Sequence, residues 1–197
     1  SSHAGNEPKA GASALRELAH FLLYAEELGN DELQTSVNLT VASGGTVINV
    51  ISEEARAEID VRVLRASEFA RVDEALRSYT PYDDRVKVEI EGGENRPPLE
   101  RTPRNEKLWQ EVQEHLRSLD LDLPGVVVGG GSDGNFTSAL GIATIDGLGP
   151  AGAGAHARNE HIRLQETLDR VALLASILAG QPSAGERLRP SLEEQQH

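Results

Sequence analysis

Cysteine is absent from the 197 residues. That excludes disulfides, thiolate metal sites and a cysteine nucleophile. Any metal must be held by His, Asp or Glu. Aromatic residues make up only 4%, which leaves few platforms for stacking nucleobases. Basic residues are the minority: 19 Lys and Arg stand against 32 Asp and Glu, a formal net charge of −13. A nucleic-acid binder needs a basic face to displace counterions from phosphates, and this composition supplies none. No apolar run approaches the roughly 18 residues of a membrane span. The longest, Val171 to Ala179, falls inside a helical pattern. No basic segment followed by an apolar stretch opens the chain, so no secretory signal is expected and a cytoplasmic location is.

What is present is ordinary for a globular protein, with 38% hydrophobic and 26% charged residues. Leu15, Leu18, Ala19, Leu22, Ala25 and Leu28 recur at helical spacing, with Gly29 as the expected stop. Period two follows. Val37, Leu39 and Val41 alternate with polar residues, Gly44-Gly45 makes a turn, and Val47 to Ile51 reads as a return strand. Ala57, Ile59, Val61 and Val63 then oppose Arg56, Glu58, Asp60 and Arg62. A second helix carries Phe69, Val72, Leu76 and Tyr79 and ends at Thr80-Pro81. Val86, Val88 and Ile90 alternate once more. This order of helix, three strands, helix and strand predicts an antiparallel sheet with helices on one face.

Gly92 to Pro103 is a punctuated connection. Beyond it, Leu108, Val112, Leu116 and Leu119 mark a helix. Val126 to Val128 and Ile142 to Ile145 read as buried strands with a helix to Leu140 between them. A glycine-rich loop runs to about Glu160, and a closing helix spans Ile162 to Leu178. From Gln181 the chain is polar and aperiodic, so 181–197 is expected to be a disordered tail.

Two segments could carry chemistry. Gly129-Gly130-Gly131-Ser132-Asp133 sits between a strand and a helix, where backbone N–H groups can face an anion. It has neither the Gly-Lys-Ser/Thr of a phosphate loop nor the G-x-G-x-x-G of dinucleotide folds. Its plain alternative is a tight turn with Ser132 or Asp133 as helix cap. The loop from Gly147 ends in His156, and neutral imidazole suits zinc. One histidine does not make a site, and a surface role is the alternative. Arg62, on the polar face of its strand, could grip a carboxylate with two parallel hydrogen bonds, or could simply be solvated. His3 precedes the first helix, and Asn49 lies on a strand neighbouring that of Arg62.

Four motifs in order resemble the M20 family of metallopeptidases, its glutamate carboxypeptidase branch most of all. They are Ser2-His3-Ala4-Gly5; Gly45-x-x-x-Asn49 with Asp60-Val61-Arg62; Gly129-Gly130-Gly131-Ser132-Asp133; and Gly154-Ala155-His156 leading to Asn159-Glu160. The resemblance covers the chain up to about Gly180. It implies an α/β fold. A small antiparallel ferredoxin-like α+β lid and dimerisation domain would occupy 1–95, and the C-terminal part of an α/β zinc-peptidase catalytic domain would occupy 96–180. It also implies two zinc ions, with His156 as a ligand, and a homodimer formed through the lid domain. His3 would stabilise the oxyanion in the partner subunit's active site. Asn49 and Arg62 would bind substrate, and Gly130 and Gly131 would line the pocket. The substrate would be a small peptide or an N-acyl amino acid with a free carboxylate beside the scissile amide.

The chain departs from the family in one large respect. The family's His-x-Asp ligand motif, bridging Asp, Glu-Glu pair and further acidic ligand have no match here, and by this resemblance His156 would be the only zinc ligand. Zinc requires three or four. The chain alone is therefore expected to bind zinc poorly, to hydrolyse nothing, and to expose apolar surface. The rivals are a non-catalytic dimerisation or ligand-binding module and, behind it, an anion binder using the Gly129 turn.

Overall fold

The structure is a computed structural model and describes residues 11–155 and 157–180. Two compact units make up the chain. One is Ser1–Glu100 with Val127–Gly131, and the other is Arg101–Val126 with Ser132–His197.

The first unit begins with helix α1, Ala14–Glu26. The Ser13 hydroxyl caps it by accepting from the Arg16 N–H at 3.2 Å. Strand β1, Ser36–Gly44, pairs antiparallel with β2, Ala55–Arg62, from Ser36↔Arg62 to Gly44↔Ala55. Gly45 turns the chain out of β1 with φ +76°, a conformation that suits glycine. Helix α2, Ala66–Arg77, follows. Phe21 and Ala25 of α1 and Val72 of α2 are buried.

A polar clasp locks α1 to the segment after α2. Glu17 is only 2% exposed. Its carboxylate accepts from the Tyr79 hydroxyl at 2.9 Å and from the backbone N–H groups of Tyr82 and Asp83 at 2.8 and 2.9 Å. Burial pushes the Glu17 carboxyl up, but the three hydrogen bonds outweigh it and hold the group below its usual value. Next to it, Asp83 accepts from Arg85 at 2.7 Å and from Arg16 at 3.1 Å. The hydrogen bond from Arg85 is the main reason the Asp83 carboxyl lies far below the ordinary range. Tyr79 is pushed up to about 12, first by burial and then by the hydrogen bond to Glu17 and its charge.

These shifts fix the pH dependence of stability. Glu17 and Asp83 hold protons less tightly folded than unfolded, so their stabilisation is present above about pH 4 and is lost as pH falls through that range. Tyr79 holds its proton more tightly when folded, so its contribution is lost as pH rises from 10.0 towards about 12. Urea midpoints measured across pH are expected to fall on both flanks, and Asp83→Asn is expected to flatten the acid flank. An acid flank unchanged by that substitution would contradict the assignment.

The second unit is built on α3, Pro103–Ser118, and α5, Leu164–Leu178. Thr102 caps α3, and Pro103 sits in its first turn, where no N–H is needed. Val112, Leu116 and Leu173 form the buried centre, with Trp109, Ile145 and Ile177 packed around it. Asn105 staples the short helix α4, Gly134–Ala139. Its amide donates to the Ser138 hydroxyl at 2.9 Å, and its oxygen accepts from the Thr144 N–H at 2.9 Å. Part of the glycine-rich loop forms a small hairpin of β3, Gly152–Ala153, and β4, His161–Ile162. A Cβ on Gly152 would collide with the His161 carbonyl oxygen, so only glycine fits there.

The helices expected from the sequence are present, but α1 stops at Glu26 rather than Leu28, α2 stops at Arg77 before Tyr79, and α5 starts at Leu164 because Ile162 belongs to β4. The strands differ. Residues 47–51, 86–90, 126–128 and 142–145 form no strand. An extended segment becomes a strand only with a neighbour about 4.8 Å away to take its hydrogen bonds. β1 runs on to Gly44 and finds its partner in Ala55–Arg62, so 45–54 becomes the connection, with Val47 and Ile48 exposed. Val126 and Val128 are 74% and 66% exposed rather than buried. The expected tail, 181–197, lies outside the described residues.

Candidate functional site

Arg62 ends β2, opposite Ser36 of β1. The alternation of β2 turns it outward, and its side chain is 56% exposed. Its Nε donates to Asp60 Oδ2 at 2.7 Å. That hydrogen bond, and then the Asp60 charge, raise its already high pKa. One edge of the guanidinium is thus fixed. Its terminal nitrogens make no hydrogen bond among the described residues, and they are the fork a carboxylate can accept from.

Gly129 to Gly131 lie in the same unit and against the same strand end. A Cβ built on Gly129 would stand 3.7 Å from the Arg62 Cβ. One on Gly131 would stand 2.9 Å from Arg96 Cδ and 3.6 Å from its Nε. The bare backbone therefore lets the stem of Arg96 lie directly over residue 131, and any side chain there would displace it. Two arginine side chains flank a three-glycine turn in a chain of net charge −13. The Arg62 charge is paired with Asp60, so what this end of β2 offers an anionic group is the donor geometry of the Arg62 terminal nitrogens.

Arg96 was not among the residues singled out from the sequence. Its signal is Asn95-Arg96-Pro97-Pro98, where the prolines hold the preceding residue extended. The punctuation of the connection hid it. Of the other candidates, Gly130 stands 3.8 Å, measured to its built Cβ, from Val128 Cγ2. Asn49 is exposed in the β1–β2 connection, and no hydrogen bond among the described residues ties it to Arg62. His3 and His156 lie outside the described residues. At the turn's end, the Ser132 hydroxyl accepts from the Gly134 N–H at 3.1 Å, and the Ser132 N–H donates to Asn135 Oδ1 at 2.9 Å. Asp133 occupies the cap position without a side-chain cap bond.

The described residues do not fit a zinc ion by themselves. Among them no three His, Asp or Glu side chains converge. The described histidines are engaged elsewhere. His20 stacks on Tyr82 at 3.7 Å between ring centroids. His115 Nδ1 is 2.8 Å from the Ser176 hydroxyl, and His161 Nδ1 is 2.9 Å from the Asn159 carbonyl. No described helix is long and apolar enough to cross a membrane.

The M20 peptidase dimerisation domain matches residues 1–83. Carboxypeptidase G2 of Pseudomonas sp. (strain RS-16) is 28% identical over 185 residues, which are 90% of this chain and 44% of that protein. Two solved structures share the fold of this chain. Aminopeptidase PepT from Bacillus cereus ATCC 10987 aligns with a TM-score of 0.65 at 19% identity, over 89% of this chain and 47% of its own. A tripeptidase from Staphylococcus aureus subsp. aureus Mu50 aligns with 0.62 at 22% identity, over 91% and 49%. The chain spans less than half the length of each of these relatives.

Proposed function

We propose that this chain supplies the lid domain and the C-terminal part of the catalytic domain of a zinc-dependent M20 peptidase. That enzyme acts as a carboxypeptidase or N-acyl-amino-acid amidohydrolase and cuts an amide bond beside a free carboxylate. The observation that carries this is the Arg62 fork beside the Gly129–Gly131 turn, with Arg96 laid across Gly131. A planar carboxylate matches a guanidinium fork in shape and charge. Similarity to carboxypeptidase G2 supports the same substrate class.

His156 is assigned as one zinc ligand, and the other ligands come from polypeptide outside this chain. His3 is assigned to the partner subunit's reacting centre, and Asn49 to substrate. The second unit supports the idea of an incomplete catalytic domain. On α5, Leu164, Leu168, Val171 and Leu178 follow helical spacing and are 69%, 52%, 57% and 84% exposed, while Leu173 on another face is buried. A helix apolar on two faces belongs between two layers.

The chain alone is expected to retain no stoichiometric zinc after dialysis and to cleave no N-acyl amino acid. Atomic absorption and a chromogenic amide assay measure both. In the complete enzyme, activity is expected to vanish with a chelator and to return with zinc. Zinc retained tightly by the chain alone would overturn the assignment of His156 as its single ligand.

A further inference from the structure

Two aspartates of the chain are followed by glycine, in Asp133-Gly134 and Asp146-Gly147. Such a pair can react with itself, because glycine has no Cβ to shield its nitrogen from the carboxyl group before it. The fold treats the two pairs differently. Gly134 opens helix α4. Its N–H donates to the Ser132 hydroxyl at 3.1 Å. Its nitrogen can therefore attack only after the first turn of the helix has opened.

Asp146 and Gly147 lie outside any helix or strand, and both are exposed. Among the described residues, neither the Asp146 carboxylate nor the Gly147 N–H makes a hydrogen bond. Gly147 has φ +75°, and no atom stands within 4 Å of a Cβ built on it. Ile145 before the pair and Leu148 after it both pack against the core of Val112, Leu116 and Leu173. The pair is thus a short bare arch between two anchors. Its one printed tie is the Gly147 carbonyl, which accepts from Arg170 Nη1 at 3.3 Å and leaves the nitrogen untouched.

We propose that Asp146-Gly147 is a site of self-modification that closes to a succinimide and reopens as isoaspartate. The Gly147 nitrogen attacks Cγ of the Asp146 carboxylic acid. An N–Cγ bond forms, the Cγ–OH bond breaks, and the hydroxyl leaves as water with the amide proton. A second water opens the ring. Where it adds to the α-carbonyl, the chain afterwards runs through Cβ and Cγ, and the α-carboxylate of residue 146 becomes free. The arch between Ile145 and Leu148 is then one methylene longer, and the Gly147 carbonyl is displaced from Arg170. The exposed α-carboxylate is the group that an isoaspartyl methyltransferase esterifies with the methyl of S-adenosylmethionine. None of these steps needs a metal or an oxidant, so the site stands apart from the zinc-peptidase reading.

Purified chain aged in warm neutral buffer tests it. Electron-transfer fragmentation distinguishes the two linkages at each residue, and labelled S-adenosylmethionine with an isoaspartyl methyltransferase counts the free α-carboxylates. Isoaspartate is expected at residue 146, about tenfold or more above residue 133, with an intermediate lighter by one water. Asp146→Glu keeps the charge but would have to close a larger ring, so it is expected to abolish most methyl incorporation. Asp133→Glu is expected to leave it unchanged. A free peptide of residues 143–150 aged alongside shows that the incubation suffices. Conversion of that peptide without conversion of residue 146 in the chain would overturn the proposal. So would equal yields at residues 133 and 146, or methyl incorporation that survives Asp146→Glu.

Discussion

Glu17→Leu is expected to destabilise the first unit by about 3–5 kcal/mol, read as a lowered urea midpoint at unchanged slope. The reason is the asymmetry of buried hydrogen bonds. Making one adds little net stability, but stranding a buried donor costs about 1–3 kcal/mol. Glu17 is the acceptor for two backbone N–H groups and one hydroxyl. A leucine of similar volume fills the space and accepts none of them. Such a loss is a large fraction of the roughly 5–15 kcal/mol that holds a domain folded. Tyr79→Phe removes one donor and leaves the carboxylate with two others, so its cost is expected to be about 1 kcal/mol. Near-equal costs for the two variants would show that Glu17 is not the hub of the clasp.

Arg62→Ala in the complete enzyme is expected to lower kcat/KM about a hundredfold on substrates with a free carboxylate, from the loss of two charge-assisted hydrogen bonds. The same amide with its carboxylate capped is expected to be cleaved as slowly by the variant as by the parent. Arg62→Lys keeps the charge and loses the fork, so it is expected to recover only part of the activity. Asp60 already holds Nε, which leaves the terminal nitrogens for substrate and fixes the plane of the guanidinium. Equal loss on the capped and uncapped substrates would remove Arg62 from carboxylate recognition.

The helices were legible in the sequence because their period of 3.6 is local. Leu15 to Ala25, Phe69 to Leu76, Leu108 to Leu116 and the 162–178 run each state their own buried face. The two paired strands were legible too, through Val37-Leu39-Val41 and Ala57-Ile59-Val61. Strand pairing is not local, however. Val86-Val88-Ile90 and Val126 to Val128 have the composition of strands, and pairing depends on neighbours that composition does not name.

The candidate site was legible only in pieces. Arg62 and the glycine turn were each visible as residue types. Their proximity depends on how β2 and the 127–131 segment meet within one unit. Arg96 was missed because a side chain lying over a glycine leaves its mark on the glycine, as a place where no Cβ fits. The Glu17 clasp was also silent, since a lone acidic residue on an amphipathic helix reads as a solvated position.

The most direct test of the central claim is a paired assay of the complete enzyme on an N-acyl amino acid and its C-terminally amidated twin, with and without chelation. The account predicts zinc-restored cleavage of the free acid alone. Cleavage of both at similar rates, or cleavage indifferent to the chelator, would contradict it.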